Sequence, residues 1–216
     1  MVIDSWIRDK ISLIPKGNSL LDVGAGQCKF KDNCKHLKYI SQDLCKYDGI
    51  DEGKWDYNNI DIKSDITKIP LKSKSIDAVL CTDVFEHIPD AVKAVKEITR
   101  LLKKGGKLII STPFSCNIHQ LPYFFSSGYH MNWYKYHLKK YKILETNTDG
   151  NYFTQIKQEL ERMVTPILRK LTSYSLDNSD IGAINGAIAV IDRMSAKGGM
   201  SSNFLCGSYQ VYAEKK

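Results

Sequence analysis

One segment of this 216-residue chain constrains its fold more than any other, an apolar run that ends in an acid and two closely spaced glycines, Leu20 to Gly26 (LLDVGAG). This order is typical of a buried parallel strand that runs into a tight turn, at which the backbone approaches a ligand. Gly24 and Gly26 carry no side chains that would block the approach. The sequence therefore predicts a ligand site at the end of the first strand of a parallel sheet.

The acid that precedes the glycines indicates which kind of ligand the turn accepts. Dinucleotide sites use a similar turn. The carboxylate of Asp22, however, would repel a pyrophosphate, and Lys29 stands where the G-x-G-x-x-G pattern requires its third glycine. A ligand that has an ammonium group and no phosphate suits this carboxylate better. S-adenosylmethionine has an ammonium, a sulfonium and a ribose, so we predict it as the cofactor.

Strands and helices alternate along the first half of the chain, and this alternation predicts an α/β fold. We expect a Rossmann-like, seven-stranded, mostly parallel sheet with helices on both faces and a C-terminal antiparallel hairpin strand. The first expected strand ends at Gly24, and the others cover 38–43, a short stretch before Asp65, 76–81, 107–111, about 142–148 and about 208–213.

The spacing of apolar residues predicts helices between these strands. They cover 3–14, 30–35, 90–103, about 154–172 with a kink or break at Pro166, and 181–196. Gly105-Gly106 is expected to cap the helix over 90–103. Residues 44–59 are polar and rich in turn formers, so we expect a loop where a helix would otherwise follow the second strand.

Length and composition indicate one domain over residues 1–216. We expect an N-terminal lid helix over 1–17, a cofactor-binding core over 18–115, and a substrate-side segment with the C-terminal helices and last strand over 116–216. No apolar run reaches the ~18 residues that span a bilayer, so we expect a cytoplasmic protein without a membrane partner. The six cysteines show no metal-binding or disulfide pattern and are expected to be reduced.

The formal net charge of +7 is compatible with a nucleic-acid partner. The lysines, however, lie in short clusters, and none forms a stripe interleaved with aromatic residues. We therefore expect a solvated basic surface, no nucleic-acid partner, and a monomer or homodimer. An anionic small substrate, such as a sugar phosphate or nucleotide-linked sugar, also fits the charge.

Acids lie at four successive strand ends: Asp22, Asp43, Asp65 and Asp83. Ligands of open parallel sheets bind outside these ends of the strands. Asp43 follows the first glycine by 19 residues, near the spacing at which an acid accepts both ribose hydroxyls. Asp65 and Ile66 can contact the amine and the face of an adenine. For each acid taken alone, a helix cap or a turn is the alternative interpretation.

Four stretches carry a resemblance to a known family: residues 20–26, Ser64-Asp65-Ile66 with Ile69-Pro70, 77–89 (DAVLCTDVFEHIP) and 100–106 (RLLKKGG). Together they resemble the class I S-adenosylmethionine-dependent methyltransferases, and most closely the small-molecule branch with an E-H-I-P-D stretch after strand four. The resemblance covers about residues 18–115. Cys28, where many members have a third glycine, and the missing helix after strand two are departures from the family pattern.

The resemblance implies a set of cofactor contacts. Asp22, Gly24 and Gly26 would hold the methionine moiety, Asp43 the ribose, and Asp65 with Ile66 the adenine. Asp83 to Phe85 would line the sulfonium side. The remaining expected cofactor contacts are Ala25, Leu44, Thr82, Val84 and His87.

Glu86 and His87 admit two interpretations. A catalytic role for His87 as general base is one, and a structural or cofactor-side role at the strand-to-helix turn is the other, which we favour. Beyond the acids assigned to the cofactor there is no carboxylate cluster in the sequence, so we expect no metal.

The substrate is expected at the aromatic-rich segment 114–137, which follows the fifth strand. An acceptor hydroxyl needs a base within hydrogen-bond reach, whereas an amine only has to be neutral. His119 is the first candidate base, with Tyr123 orienting it or the acceptor, and His130 is the second. A plain loop role for each histidine, and a covering role for the aromatic residues, are the alternatives. The stretches 119–123, 128–134 and 147–153 together resemble a bacterial subset associated with surface-glycan and secondary-metabolite pathways, which implies a sugar or sugar-linked hydroxyl.

The sequence thus predicts methyl transfer by in-line displacement to a small-molecule acceptor. Methylation of nitrogen in a small molecule, or of RNA or protein, is the first alternative, although the N/D-P-P-Y/F motif of base-amino methyltransferases is absent after strand four. A non-catalytic scaffold and a nicotinamide oxidoreductase are further alternatives, which the four strand-end acids and Asp22 disfavour.

Overall fold

The computed structural model describes residues 2–49, 54–163, 176–196 and 206–216. The chain divides into two compact units, Met1–Asn147 with Ser208–Lys216, and Thr148–Gly207. The single domain predicted over 1–216 stays a prediction. Among the helices of the described ranges, none combines the length and apolar character that a membrane span requires.

The described residues contain seven strands that form one sheet. They are β1 (Ser19–Val23), β2 (Lys38–Asp43), β3 (Ile62–Lys63), β4 (Ile76–Thr82), β5 (Leu102–Pro113), β6 (Tyr141–Asp149) and β7 (Ser208–Lys215). Their order is β3-β2-β1-β4-β5-β7-β6. The first five strands pair in parallel, and β7 runs antiparallel to β5. The predicted fold class is confirmed.

Helices precede and separate these strands along the chain. In the first unit they are α1 (Val2–Ser12), α2 (Ala91–Leu101) and α3 (Met131–His137), with 3₁₀ turns at Lys31–Cys34 and Phe85–His87; in the second unit the described helices are α4 (Tyr152–Met163) and α5 (Asn178–Ala196). The part of the predicted helix beyond residue 163, including Pro166, lies outside the described residues. No helix was predicted at α3, where aromatic residues hide the helical spacing.

The prediction that Gly105-Gly106 caps the helix after strand four is wrong. Helix α2 ends at Leu101, and Leu102 already pairs with Ile76 of β4. A Cβ on Gly106 would lie 2.9 Å from the carbonyl oxygen of Lys103 and 3.0 Å from that of Asp77. The absence of a side chain at Gly106 therefore allows β5 to lie close to β4, at the register shift between these strands. Asp90 is the N-cap of α2, accepting from the backbone N–H of Lys93 at 3.0 Å.

Both faces of the central strands are buried. On one face, Leu20, Leu80 and Ile109 pack in a cluster with Ile7 and Ile11 of α1. Side chains alternate along a strand, so their neighbours Leu21, Val79 and Ile110 point to the other face, where they are buried as well. Such two-sided burial explains why these strands read as continuous apolar runs in the sequence.

Asp22 lies inside this packing, with 3% of its surface exposed. Its carboxylate accepts a hydrogen bond from the hydroxyl of Tyr39 on β2, at 2.6 Å between the oxygens. The pKa of Asp22 is raised to about 7. Burial is the main cause and the charge of Asp43 acts in the same direction, whereas the hydrogen bond from Tyr39 opposes them. The acid that precedes the glycine turn is thus part of the contact between β1 and β2.

We expect Asp22→Asn to flatten the pH dependence of stability. The pKa of Asp22 is raised from 3.8 to about 7 on folding, so the folded state keeps a proton that the unfolded state loses. Wild-type stability should therefore fall between about pH 4 and pH 7. The asparagine accepts from Tyr39 and cannot ionise. Urea denaturation across this range measures the slope, and Asp32→Asn, at an exposed position, should keep the wild-type slope. Equal slopes for Asp22→Asn and wild type would contradict the prediction.

Candidate active site

A cavity of about 400 Å³ opens at the carboxyl ends of the parallel strands, where open α/β sheets bind their ligands. It has the size of a small-molecule site. Many of the residues predicted from the sequence line it: Gly24, Asp43, Leu44, Asp65, Ile66, Asp83, Val84, His87 and Tyr123. The strand-end acids of β2 and β4, the acid after β3 and one candidate of the aromatic segment therefore meet in one cavity.

Other predicted residues lie outside the lining of the cavity. Among the described residues these are Asp22, Ala25, Gly26, Thr82, His119 and His130. Helix α1 contributes none of the lining residues either. Its Trp6 is buried in the core and donates from Nε1 to Glu145 Oε1 at 2.6 Å. The lid role predicted for the N-terminal helix over 1–17 and the cofactor roles of the outlying residues stay predictions.

The turn after β1 requires its glycines for two reasons. Gly24 and Gly26 have φ angles of +68° and +51°, in the left-handed region that side chains disfavour. A Cβ on Gly24 would lie 2.5 Å from Cγ2 of Val84, and one on Gly26 2.7 Å from Cζ3 of Trp55. Cys28, the departure from the glycine pattern, keeps the glycine-like φ of +56°. The substitution therefore leaves the path of the backbone unchanged.

The carboxylate of Asp43 fixes the position of this turn relative to β2. Its Oδ2 accepts from the backbone N–H of Gly26 at 2.9 Å, and its Oδ1 accepts from that of Cys45 at 2.7 Å. Each carboxylate oxygen has a second lone pair, so Asp43 can still accept from the hydroxyls of a ribose. The residue thus orders the turn and faces the cavity.

The acid after β3 is also ordered by its neighbours. Asp65 Oδ1 accepts from the backbone N–H and from the hydroxyl of Thr67, both at 2.7 Å. The chain that follows is held by α2, because Glu97 accepts from the backbone N–H of Ile69 at 2.8 Å and Arg100 donates to the carbonyl of Ile69 at 3.0 Å. This clamp keeps Asp65 and Ile66 at the cavity wall.

Three aromatic side chains that the sequence reasoning missed complete the wall near Asp43. Tyr47, Trp55 and Tyr57 line the cavity. The ring centroids of Tyr47 and Trp55 are 5.2 Å apart in an edge-to-face arrangement, and those of Trp55 and Tyr57 are 6.1 Å apart. Their signal in the sequence is the occurrence of three large aromatic residues in the polar segment 44–59, for which the sequence predicts only a loop in place of a helix.

Two acids follow β4, the exposed Asp83 and the buried Glu86. Asp83 has the left-handed φ of +53° and accepts from the hydroxyl of Ser111 at 3.0 Å. Desolvation of its carboxyl group by the surrounding residues raises its pKa, against the effect of that hydrogen bond. Glu86 is 2% exposed, and burial followed by the charge of Asp83 raises its pKa to about 8. Among the described residues, Glu86 Oε2 is one of the few buried polar side-chain atoms without a hydrogen-bond partner.

The aromatic segment brings two histidines together beside Glu86. The ring centroids of His87 and His119 are 4.9 Å apart, and His87 Nε2 lies 3.8 Å from Glu86 Oε1. His87 Nδ1 is 2.6 Å from the carbonyl oxygen of Tyr123, and His119 Nδ1 is 2.8 Å from that of Asn117. A carbonyl only accepts, so both Nδ1 atoms donate. In the neutral form, each ring then has its lone pair on Nε2.

The second candidate base has a different environment. His130 is the N-cap of α3, where its Nδ1 accepts from the backbone N–H of Asn132 at 3.2 Å. Its ring packs at centroid distances of 5.5 Å from Phe114 and 5.6 Å from Tyr209. His119 therefore contacts His87, which lines the cavity. His130 is not part of the group formed by Glu86, His87 and His119.

Known proteins are similar to this chain in sequence. Residues 21–110 match the model of a methyltransferase domain family. An uncharacterized methyltransferase-like protein of Schizosaccharomyces pombe is 34% identical over 109 residues, covering 49% of this chain and 42% of that protein. A ubiquinone biosynthesis O-methyltransferase of Marinobacter nauticus is 27% identical over 118 residues, covering 50% of this chain and 48% of the other. The matches thus span about half the length of these curated relatives or less.

Solved structures agree in fold. A SAM-dependent methyltransferase from Archaeoglobus fulgidus superimposes with a TM-score of 0.61 at 18% identity, covering 99% of this chain and 93% of that one. The matched residues 21–110 include the glycine turn and the acids Asp43, Asp65 and Asp83. The resemblance predicted from the sequence is thus supported over this range: residues 21–110 match a methyltransferase domain, and the fold is that of a solved S-adenosylmethionine-dependent methyltransferase, which supports the predicted cofactor.

Proposed function

We propose that this protein transfers a methyl group from S-adenosylmethionine to a hydroxyl of a small molecule, a sugar or sugar-linked metabolite. The observation that carries the proposal is the single cavity in which the cofactor-type residues Gly24, Asp43 and Asp83 lie with His87 and Tyr123. Cofactor and acceptor need such a shared space, because the acceptor oxygen must reach the methyl carbon in line at ~3–3.5 Å. We also propose a cytoplasmic monomer or homodimer.

The proposed reaction is a direct displacement. The acceptor oxygen forms a bond to the methyl carbon as the carbon–sulfur bond breaks, and the electron pair of that bond remains on sulfur in S-adenosylhomocysteine. The hydroxyl proton has to leave the oxygen. His119, with a basic Nε2 set by the hydrogen bond from its Nδ1 to Asn117, is the proposed acceptor of that proton, next to His87 at the cavity wall.

A small nitrogen nucleophile is the second candidate acceptor. The acids Asp83 and Asp90 both line the cavity, and negative charge would attract an ammonium group. An amine must be neutral to react, however, and these acids would favour its charged form. The paired histidines are better suited to a hydroxyl, whose proton they can accept. For this reason we place oxygen before nitrogen.

The experiment uses purified protein, S-adenosylmethionine with a radiolabelled methyl group, and matched acceptors. Simple hexosides are compared with the corresponding amino-hexosides, and a small-molecule extract is compared with RNA and with protein fractions. We expect label in the small-molecule fraction and in hexosides. Label only in the amino-hexosides would favour the second candidate, and label in RNA or protein would contradict both.

We expect Asp43→Ala to weaken the binding of S-adenosylhomocysteine by about tenfold or more, as the loss of a hydrogen bond to a charged group typically does. Isothermal titration calorimetry measures the affinity, and circular dichroism verifies the fold. Asp32→Ala removes the same charge from an exposed position and is the matched control. An unchanged affinity in Asp43→Ala would refute the ribose role.

His119→Ala should lower turnover far more than it lowers affinity for the cofactor. Its side chain is not part of the cavity lining that holds the predicted cofactor contacts, and general bases typically contribute 10²–10⁴-fold in rate. Steady-state kinetics give the turnover number, and calorimetry with S-adenosylhomocysteine gives the affinity. Turnover equal to that of the wild type would remove His119 from the reaction.

A further inference from the structure

Three side chains next to the cavity, those of Glu86, His87 and His119, lie close enough together to bind one metal ion. The proposed proton transfer alone does not require this arrangement. One ligand-type atom each from Glu86, His87 and His119 lies within 4.8 Å of the other two. An ion bound tetrahedrally at ~2.1 Å holds its ligand atoms about 3.4 Å apart. Shifts of about 1 Å or less in the two histidine side chains and the carboxylate would therefore bring all three atoms to bonding distance.

The three groups are hydrogen-bond acceptors that face one another. Because both Nδ1 atoms donate to backbone carbonyls, His87 and His119 present lone pairs at Nε2 in their neutral forms. His87 Nε2 lies 3.8 Å from Glu86 Oε1, which is too long for a hydrogen bond. Facing lone pairs repel unless a positive charge lies between them. A cation or an added proton would remove this repulsion.

Two further observations favour a metal ion. Metal-binding histidines almost always donate their second ring N–H to a carbonyl or carboxylate, and both of these histidines do so. The buried Glu86 also keeps an oxygen, Oε2, that has no hydrogen-bond partner among the described residues. Buried carboxylates are normally paired with a donor or coordinate a cation.

We propose that Glu86, His87 and His119 bind one divalent transition-metal ion at the edge of the cavity, through a carboxylate oxygen and both Nε2 atoms. Imidazole ligands suit ions such as Zn²⁺ or Fe²⁺ better than Mg²⁺ or Ca²⁺. Three protein ligands leave an open position, as in catalytic zinc sites. This proposal replaces the expectation from the sequence that the chain binds no metal.

The role of the ion rests on the proposed function. His87 lines the cavity, as do Gln120 and Tyr123, and an ion bound by His87 would therefore lie next to the space that the proposed function assigns to the acceptor. An acceptor oxygen at that position loses its proton more readily, and the proton passes to water. His119 is then a ligand of the ion instead of the base, and the electron pairs move as described above. The acceptor class narrows to molecules with a hydroxyl that can reach the ion.

The test measures ion binding without any turnover. Full-length protein is treated with a chelator, dialysed, and titrated with Zn²⁺ by calorimetry and with Co²⁺ by visible absorption, which reports the ligand field of the bound ion. We expect one ion per chain, and a loss of affinity of about 100-fold or more in Glu86→Gln and in His119→Ala, more than outer-shell changes typically cause. His137→Ala, a histidine of α3 outside the cluster, should bind like the wild type.

Each outcome decides between the alternatives. Absence of ion binding in the wild type would overturn the metal site and favour a proton shared between the side chains. Equal ion binding in wild type, Glu86→Gln and His119→Ala would also overturn it and favour adventitious binding at the surface. Mg²⁺ binding as tight as that of Zn²⁺ would overturn the transition-metal assignment. Turnover that survives complete chelation would overturn the role in transfer. Binding of S-adenosylhomocysteine to the chelated protein separates these failures from a failure of the proposed function.

Discussion

The cavity depends on how closely two of its walls approach the glycine turn after β1. Val84, which follows β4, occupies the space beside Gly24, and Trp55 occupies the space beside Gly26. A Cβ at either glycine would push one wall outward, and the left-handed φ angles would add strain. Asp43 completes the arrangement, because its carboxylate accepts from the backbone N–H of Gly26 and so joins the turn to the end of β2. The ligand space is therefore defined by backbone contacts that only this turn permits.

The order and type of most elements could be predicted from the sequence because the central strands β1, β4 and β5 are buried on both faces and contain apolar runs. The error at Gly105-Gly106 shows the limit of such patterns. A glycine pair after a helix is typical of a C-cap, but Gly106 instead lets β5 pass close to the carbonyl of Asp77. The pairing of Leu102 with Ile76 is a tertiary contact, and local spacing carries no information about it. Helix α3 could not be predicted for a related reason. Its buried Tyr134 forms a hydrogen bond with the hydroxyl of Thr112 on β5, and this too is a tertiary contact that local spacing does not indicate.

The acids of the site could be predicted because parallel strands end at one edge of a sheet, so Asp43 and Asp83 had to lie near each other. Their individual environments could not be predicted. Asp22, for example, is buried and accepts a hydrogen bond from Tyr39 on β2, and its role toward the cofactor stays a prediction. The approach of His119 to His87 also depends on the fold of a long loop, and no regular periodicity predicts it. Such loop contacts are where the sequence is least informative.

Charge connects the proposed cofactor, the proposed ion and the chemistry. Asp83 and Glu86 are three residues apart, and the charge of Asp83 raises the pKa of the buried Glu86. A cation near either acid favours the ionised form of both. Binding of the sulfonium beside Asp83 would therefore strengthen the attraction of Glu86 for a metal ion, and the ion would offset the repulsion between the two carboxylates. Methyl transfer removes the sulfonium charge, so a sulfonium bound beside Asp83 would be attracted more strongly by its carboxylate than the uncharged thioether of the product would be.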